Sequence, residues 1–226
     1  MSALARRLMA SRVVAAGGGG GGLTVVQPVA IWSRLSGSAA ASSAAFNVNN
    51  NELLVVGISG DAPSSSFAAP TNTNTAFTWT LRQTGAAYAT VKVYTAPVTA
   101  TQSTQITLPA SSEKQGAFVW QMSGQHASPF GTGSGNGNAN TNAVNQNYTP
   151  QAAGSIIFVV ASEWQETGTP TSSNLTNTAH GNHTGYQEFF VGRKLNPTTA
   201  ATSFNLDAAG GSGTNWSYAW QEILAA

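Results

Sequence analysis

Apolar and polar residues alternate along much of the chain, and this pattern predicts β-strands. The segment FTWTLRQ (77–83) places Phe77, Trp79 and Leu81 on one side and polar residues on the other, and FVWQM (118–122) repeats the arrangement. A period of two is typical of a strand with one face in the core and one face in solvent. We therefore expect these two segments to be half-buried strands.

Two other runs are almost continuously apolar, namely ELLVVGISG (52–60) and SIIFVVASEW (155–164). Such runs are typical of strands covered on both faces, so we expect them at the centre of the core. Further short strands are predicted at AYATVKVYTAP, STQITLP, EFFVGRKL (188–195), TSFNL (202–206) and WSYAWQEIL (216–224). About nine short strands between turn residues predict an all-β fold. The expected form is an antiparallel two-sheet sandwich, immunoglobulin-like or jelly-roll, with an extended N-terminal arm.

Two long polar stretches contain few large apolar residues. GTGSGNGNANTNAVNQNYT fills most of the interval between Pro129 and Pro150, and TGTPTSSNLTNTAHGNHTG covers residues 167–185. Because neither stretch can supply core, we expect both to be surface loops. Loops of this length are usually functional or mobile.

The N-terminal part differs from the rest and is predicted to be an arm (residues 1–45) attached to one sandwich domain (residues 46–226). It begins with a short helix over residues 2–15 and continues through a glycine hinge (17–22), an extended piece LTVVQPVAIWSRL and a small-residue linker. The segment Val25–Trp32 has two interpretations that the sequence leaves open. It is either an extended part of the arm or the first strand of the body.

Basic charge is concentrated in this arm. The first fifty-one residues hold four arginines and no acid, whereas the remainder has five Lys and Arg against eight Asp and Glu. Leu4 and Leu8 are one helical turn apart, and Arg6, Arg7 and Arg12 lie on the same short segment. We predict that the arm docks into a partner, with the leucines in apolar pockets and the arginines against acidic groups. The alternative is a disordered basic tail.

Composition excludes several classes of protein. The chain has no cysteine, so disulfides and thiolate sites are excluded. Charged residues are only 8% of the chain, against about 25% in ordinary soluble domains, so amides and hydroxyls must keep the surface soluble. A net charge of +1 gives no basis for nucleic-acid binding. The sequence shows neither a signal peptide nor an apolar segment long enough for membrane insertion.

Few residues are arranged for chemistry. His180 and His183 would need further ligands to hold zinc, and the third histidine, His126, lies in a distant segment. The glycine runs lack the GK[ST] of a phosphate loop, and GxSxG does not occur. We therefore predict no metal and no cofactor.

Glu163 and Glu166 bracket Trp164 at the end of a predicted strand. Two carboxylates beside an aromatic ring are the elements of a glycosidase site, but this spacing is common and strand-end charges explain it equally well. Trp164 could instead stack on a sugar ring as a glycan contact, or fill core. We predict no catalytic residue and keep Trp164 as a candidate glycan contact.

The order of several segments resembles a β-sandwich module of structural proteins from tailed bacteriophages, especially those that infect actinobacteria. The segments are ELLVVGISG, FTWTLRQTGAAYATVKVYTAPVTATQSTQITL, GAFVWQMSG with SPFGTGSG, TPQAAGSIIFVVASEW and NWSYAWQEILAA.

The resemblance implies a non-enzymatic virion protein that is assembled in the host cytoplasm. A minor tail protein is expected, held by its arm with the sandwich projecting outward, and a capsid decoration protein is the alternative. The expected partners are tail or major capsid subunits and further copies of the chain. A host-surface carbohydrate-binding module is a further alternative, and a glycan hydrolase is the last.

Overall fold

The computed structural model describes residues 22–34, 40–60, 67–111, 114–138, 143–163, 170–182, 188–207 and 215–226. All regular structure in these ranges is β-strand, so the all-β prediction is confirmed. No helix in the described ranges could cross a bilayer. The strands are β1 (Thr24–Arg34), β2 (Ala41–Ser42), β3 (Phe46–Val48), β4 (Leu53–Gly60), β5 (Thr71–Asn72), β6 (Thr80–Ala86), β7 (Thr90–Pro97), β8 (Gln102–Thr104), β9 (Ile106–Leu108), β10 (Gln115–Ser123), β11 (Gln125–Asn138), β12 (Ala143–Tyr148), β13 (Ile156–Glu163), β14 (Thr176–Asn182), β15 (Glu188–Leu195), β16 (Thr202–Asp207) and β17 (Trp216–Ala225).

Two five-stranded antiparallel sheets pack face to face. The first sheet has the order β1-β10-β4-β7-β6, and the second has the order β11-β17-β13-β15-β14. Smaller sheets cover their outer faces: β2-β9-β5 and β3-β8 lie on the first sheet, and β12-β16 lies on the second. The predicted antiparallel sandwich is therefore confirmed, with an additional layer on each side.

Three hydrophobic cores separate these layers. The central core joins the two large sheets and includes Trp120, Phe118, Phe158 and Phe189. One outer core lies between the first sheet and its cover, and the other lies between the second sheet and its cover. Every residue of β4 and β13 is buried. This confirms the prediction that the two continuously apolar runs are central strands covered on both faces, and the reason is that each contributes alternate side chains to two cores.

The two large sheets have the same topology, and each belongs to one half of the chain. We call residues 24–123 the first half and residues 125–225 the second half. In chain order, each half supplies an edge strand (β1 or β11), a central strand (β4 or β13) and a hairpin on one side of the central strand (β6-β7 or β14-β15). A final strand (β10 or β17) lies on the other side of the central strand. All strand pairs among the described residues lie within one half.

The repeat extends to irregular details. A register shift interrupts β6 between Leu81 and Gln83, and the equivalent shift in β14 lies between Thr176 and Ala179. The residues before the two central strands also match, since Asn51 has φ 67° and Gly154 has φ 78°. Their backbone N–H groups donate to Val98 and Asn196 at 2.9 and 2.7 Å. The two halves therefore have one fold, and they stack with β4 on β13, β6 on β11 and β1 against β14 in a two-fold-like manner.

The segment Val25–Trp32 belongs to the body. Residues 24–34 form β1, which pairs with β10 from Thr24↔Ser123 to Arg34↔Gln115. The second interpretation of this segment is therefore the one observed. A register shift spans Pro28, which has no N–H to donate to a neighbouring strand. Residues 1–21, with the predicted docking helix, lie outside the described residues, and the arm stays a prediction there.

The prediction of surface loops is wrong for both polar stretches where the structure describes them. The stretch after Pro129 forms most of β11 and all of β12, and the later stretch contains β14. Close packing of backbones explains the glycines of β11: a Cβ at Gly135 would lie 1.9 Å from Thr84 O, and a Cβ at Gly85 of β6 would lie 2.1 Å from Tyr218 O. Alternate glycines are thus a strand pattern whose inward side lies too close to neighbouring backbone and side-chain atoms to admit a Cβ.

Candidate functional site

A cleft of about 760 Å³ opens at one end of the sandwich. Its walls come from the turn before β4, from the residues at the start of β6, from the end of β7 and from the first residues of β11. The first three segments belong to the first half and the last to the second half. The cleft therefore lies where the two large sheets meet, at the end that holds Leu53.

Arg82 is the cation of this cleft. Its guanidinium carbon lies 3.3 Å from the centroid of the Phe130 ring, and its Nε donates a hydrogen bond of 2.8 Å to Thr95 Oγ1. These two contacts fix the plane of the guanidinium. Its two terminal nitrogens have no hydrogen-bond partner among the described residues. Burial lowers the pKa of Arg82, but an arginine remains charged at neutral pH.

Glu52 also lines the cleft, and its carboxylate is already engaged. Oε2 accepts from the backbone N of Asn49 at 2.7 Å and from Gln121 Nε2, and Oε1 accepts from Asn49 Nδ2 at 2.9 Å. Charge-assisted hydrogen bonds of this kind are strong and hold the carboxylate in place. Glu52 therefore shapes the wall and offers few free lone pairs to a ligand.

Gln125 and His126 complete the polar lining at the start of β11. Gln125 Nε2 donates to Asn51 O at 2.8 Å, while its Oε1 is buried without a partner among the described residues. An unpaired buried acceptor is unfavourable and is normally satisfied by water or a ligand. His126 is exposed, with Nδ1 3.0 Å from the backbone N of Ser128. The cleft therefore presents the unused donors of Arg82, and an acceptor without a partner among the described residues is enclosed in its wall.

A second polar centre lies in the second half and is fully engaged. Glu222 is buried, and its carboxylate accepts from Ser155 Oγ, from the backbone N and the Oγ1 of Thr132 and from the backbone N of Gln151. Burial alone would raise the pKa of Glu222, but the hydrogen bonds from Ser155, Gln151 and Thr132 outweigh it and lower the pKa. We assign Glu222 a structural role that ties three chain segments together.

The two carboxylates take part in equivalent contacts of the repeat, but each stands on the opposite member of its pair. Glu52 precedes β4 and bonds Gln121 of β10, whereas Ser155 precedes β13 and bonds Glu222 of β17. The strand registers make Glu52 equivalent to Ser155 and Gln121 equivalent to Glu222. Each half thus joins its central and final strands through one carboxylate. In the first half the carboxylate precedes the central strand, and in the second half it belongs to the final strand.

Most residues singled out from the sequence do not meet at this cleft. Glu163, the last residue of β13, is fully buried and pairs with Trp216 and Glu188. It lies seven residues beyond Ile156, the β13 residue at the cleft end, which is roughly 23 Å at about 3.3 Å per residue. His180 is exposed on β14, at the sheet edge opposite β11 and His126.

Several of the candidates lie in segments that the structure does not describe. Trp164, Glu166 and His183 lie outside the described residues, as do the predicted docking residues Leu4, Arg6, Arg7, Leu8 and Arg12. The described residues contain no group of three or more His, Cys, Asp or Glu that could hold a metal ion. The glycan contact at Trp164 and the docking arm therefore remain predictions.

The chain matches no protein-family model, no curated protein and no solved structure. Arguments about function therefore rest on the residues of this chain. The cleft residues were missed in the sequence because they come from four separate segments, and no short motif marks any one of them. The only local signal is the pair Pro129–Phe130 beside polar residues.

Proposed function

We propose that the protein is a non-enzymatic structural protein of a tailed bacteriophage particle. In this proposal it is a minor tail protein, attached through its N-terminal arm with the sandwich body projecting outward. The proposal comes from the resemblance of the strand segments to phage sandwich modules and from the basic segment that precedes the body. Its partners are tail subunits and further copies of this chain.

The observation that carries the proposal is that the chain enters the body at one end. Thr24, the first residue of β1, pairs with Ser123, and Gly124 accepts a hydrogen bond of 2.9 Å from the backbone N of Ala226. Leu23 and Val25 are buried in the central core, which fixes the start of the body firmly. In this proposal, attachment through residues 1–21 would act at this end of the body.

The body itself suits a load-bearing role. Two halves share a central core, and outer sheets cover the remaining faces of the large sheets. The edge strands of the large sheets also lie against each other, β6 on β11 and β1 against β14. An edge strand that packs on another strand is less open to pairing between molecules, which suits a body that is crowded into a particle.

A capsid decoration protein is the alternative within the same class, since an arm could equally insert among capsid subunits. Both versions are tested by deleting residues 1–21. We expect the truncated chain to fold, with the far-UV circular dichroism and unfolding midpoint of the full chain, and to be lost from particles assembled in its presence. Immunogold labelling of particles made with the full chain separates tail from capsid.

A matched control replaces Arg6, Arg7 and Arg12 with lysine, which keeps the charge but removes the guanidinium geometry. We expect partial incorporation of this variant. Equal incorporation of the truncated and full chains would contradict attachment through the arm. Absence of the full chain from purified particles would contradict the virion role itself.

A further inference from the structure

We propose that the cleft between the two large sheets binds an acidic saccharide, with the carboxylate of the sugar on Arg82. This inference does not depend on the virion role, because it follows from the chemistry of the cleft wall. The site is distinct from Trp164, the glycan contact expected from the sequence.

Arg82 is prepared to bind an anion. The Phe130 ring at 3.3 Å and the bond from Nε to Thr95 hold the guanidinium in one orientation, so little side-chain entropy remains to be lost on binding. Its terminal nitrogens have no partner among the described residues, and burial lowers the pKa of Arg82 because the charge is partly desolvated. A carboxylate would supply the missing acceptors in the bidentate geometry that guanidinium favours.

The charge balance of the cleft selects a carboxylate over a phosphate. The lining contains one arginine and the carboxylate of Glu52. The negative charge of Glu52 disfavours a ligand that carries more than one negative charge. A phosphate monoester carries about −1.5 to −2 charges at neutral pH and is usually held by several donors. A monoanion facing Arg82 fits this arrangement better.

The remaining lining fits the hydroxyl groups of a sugar. Gln125 and His126 bring polar side chains to the lining, although Gln125 Oε1 is itself enclosed by protein. Thr78, Thr80 and Thr99 bring further hydroxyls to the lining, and Pro97, Pro129 and Phe130 bring apolar surface. Polar groups that fix orientation beside apolar surface are the usual composition of a small-ligand site.

The test uses the full chain and D-glucuronate as the probe, followed by amide chemical shifts. D-Glucose lacks the carboxylate and acetate lacks the sugar, so each serves as a control ligand. We expect saturable shifts with glucuronate at Asn51, Gln125 and His126, and binding at least about tenfold weaker for glucose and for acetate, since a hydrogen bond to a charged group is worth a factor of about ten or more.

Arg82→Gln should weaken glucuronate binding about tenfold or more, whereas Arg82→Lys should weaken it less. Lys92→Gln is the matched control. Lys92 also lies over an aromatic ring, 4.3 Å from the centroid of Phe67, but it is not part of the cleft. We therefore expect the Lys92→Gln variant to bind glucuronate as tightly as the wild type does. Unfolding midpoints identify any variant that fails to fold, and the shift pattern of the wild type tests the site without a variant.

Three results would overturn the proposal. The first is the absence of saturable shifts in the cleft at concentrations where glucuronate binds nowhere else. The second is equal binding of acetate, or of an acidic peptide, which would show a carboxylate site without sugar recognition. The third is an equal loss of affinity in Arg82→Gln and Lys92→Gln, which would show a general charge effect.

Discussion

The buried carboxylate of Glu222 permits a sharp test of how the second half is held together. Its oxygens accept from four donors at or below 3.1 Å, namely Ser155 Oγ, Thr132 N, Thr132 Oγ1 and Gln151 N, the last of which lies near both oxygens. In Glu222→Gln one oxygen becomes an NH₂ group. The amide fits best with this group toward Ser155, because the Ser155 hydroxyl can then donate to Ala152 O, 2.7 Å away, and accept from the amide. The other oxygen keeps the bonds from Thr132, and Gln151 N lies 3.1 Å from it.

The expected loss of stability follows from this geometry. Glu222→Gln loses the charge but few hydrogen bonds, so the free energy of unfolding should fall by about 1–2 kcal/mol, the difference between charged and neutral hydrogen bonds. Glu222→Leu also leaves the donors without an acceptor. It should lower the free energy of unfolding by about 3–5 kcal/mol, as removal of one member of a buried polar network does.

The two variants should also differ from the wild type in their response to acid. Because the pKa of Glu222 is lowered in the folded state, the folded protein binds fewer protons than the unfolded chain between the two pKa values. Stability from this group is therefore complete above the unfolded value of 4.5 and is lost as the pH falls through the folded value. Glu222→Gln should lack this part of the acid dependence.

Urea unfolding followed by tryptophan fluorescence, repeated from neutral pH to pH 3, measures both effects. Asp207→Asn is the matched control, since it removes the same charge at an exposed position of β16. Its stability at neutral pH should differ from the wild type by less than about 0.5 kcal/mol. Equal stability of Glu222→Leu and the wild type at neutral pH would refute the assignment of Glu222 as a tie between segments. A Glu222→Gln variant with an unchanged acid slope would refute the lowered pKa.

The remaining predictions concern the contact between the halves. Gly135→Ala should lower the free energy of unfolding by about 1–3 kcal/mol, because the new Cβ would lie 1.9 Å from Thr84 O. Ser134→Ala, at an exposed position of the same strand, should change the free energy of unfolding little. Equal unfolding curves of the two variants would contradict the close packing of β6 on β11. Separate expression of residues 1–124 and 125–226 should give insoluble chains, since each exposes its side of the central core, and co-expression should give a soluble complex that copurifies through a tag on one chain. A soluble monomer of either piece alone would contradict the shared core.

The core of the fold could be predicted from the sequence because burial on two faces leaves a strong pattern. The runs that became β4 and β13 contain almost no polar residue, and a strand covered on both faces requires this composition. The repeat also left a signal that a comparison of these runs could have found, since LLVVGISG and IIFVVASE correspond position by position. Register shifts and the exchange of the carboxylate between the two halves have no such local signal.

β11 shows where sequence patterns mislead. Alternating glycines are typical of a flexible segment, and the pattern in this stretch therefore predicts a loop. Their side of the strand lies against backbone and side-chain atoms of β6, of β17 and of the residue after β6, and a Cβ would lie within 3.0 Å of these atoms. The glycines recur with the strand period of two. Because they carry no hydrophobic side chain, the periodicity of hydrophobic residues does not reveal the strand.

The duplicated fold gives a physical reason to look for function at the cleft end. The central core demands apolar residues from both halves, and the halves accordingly resemble each other there. At the end that holds the cleft they differ: Arg82 is equivalent in register to Thr178, and Pro97 to Leu195. Stability alone would be served equally well by the same residues in both halves, because the backbones are alike. The first half has Arg82 stacked on Phe130 at this end, and the equivalent residue of the second half, Thr178, carries no charge. A ligand in the cleft therefore explains Arg82 better than the stability of the fold does.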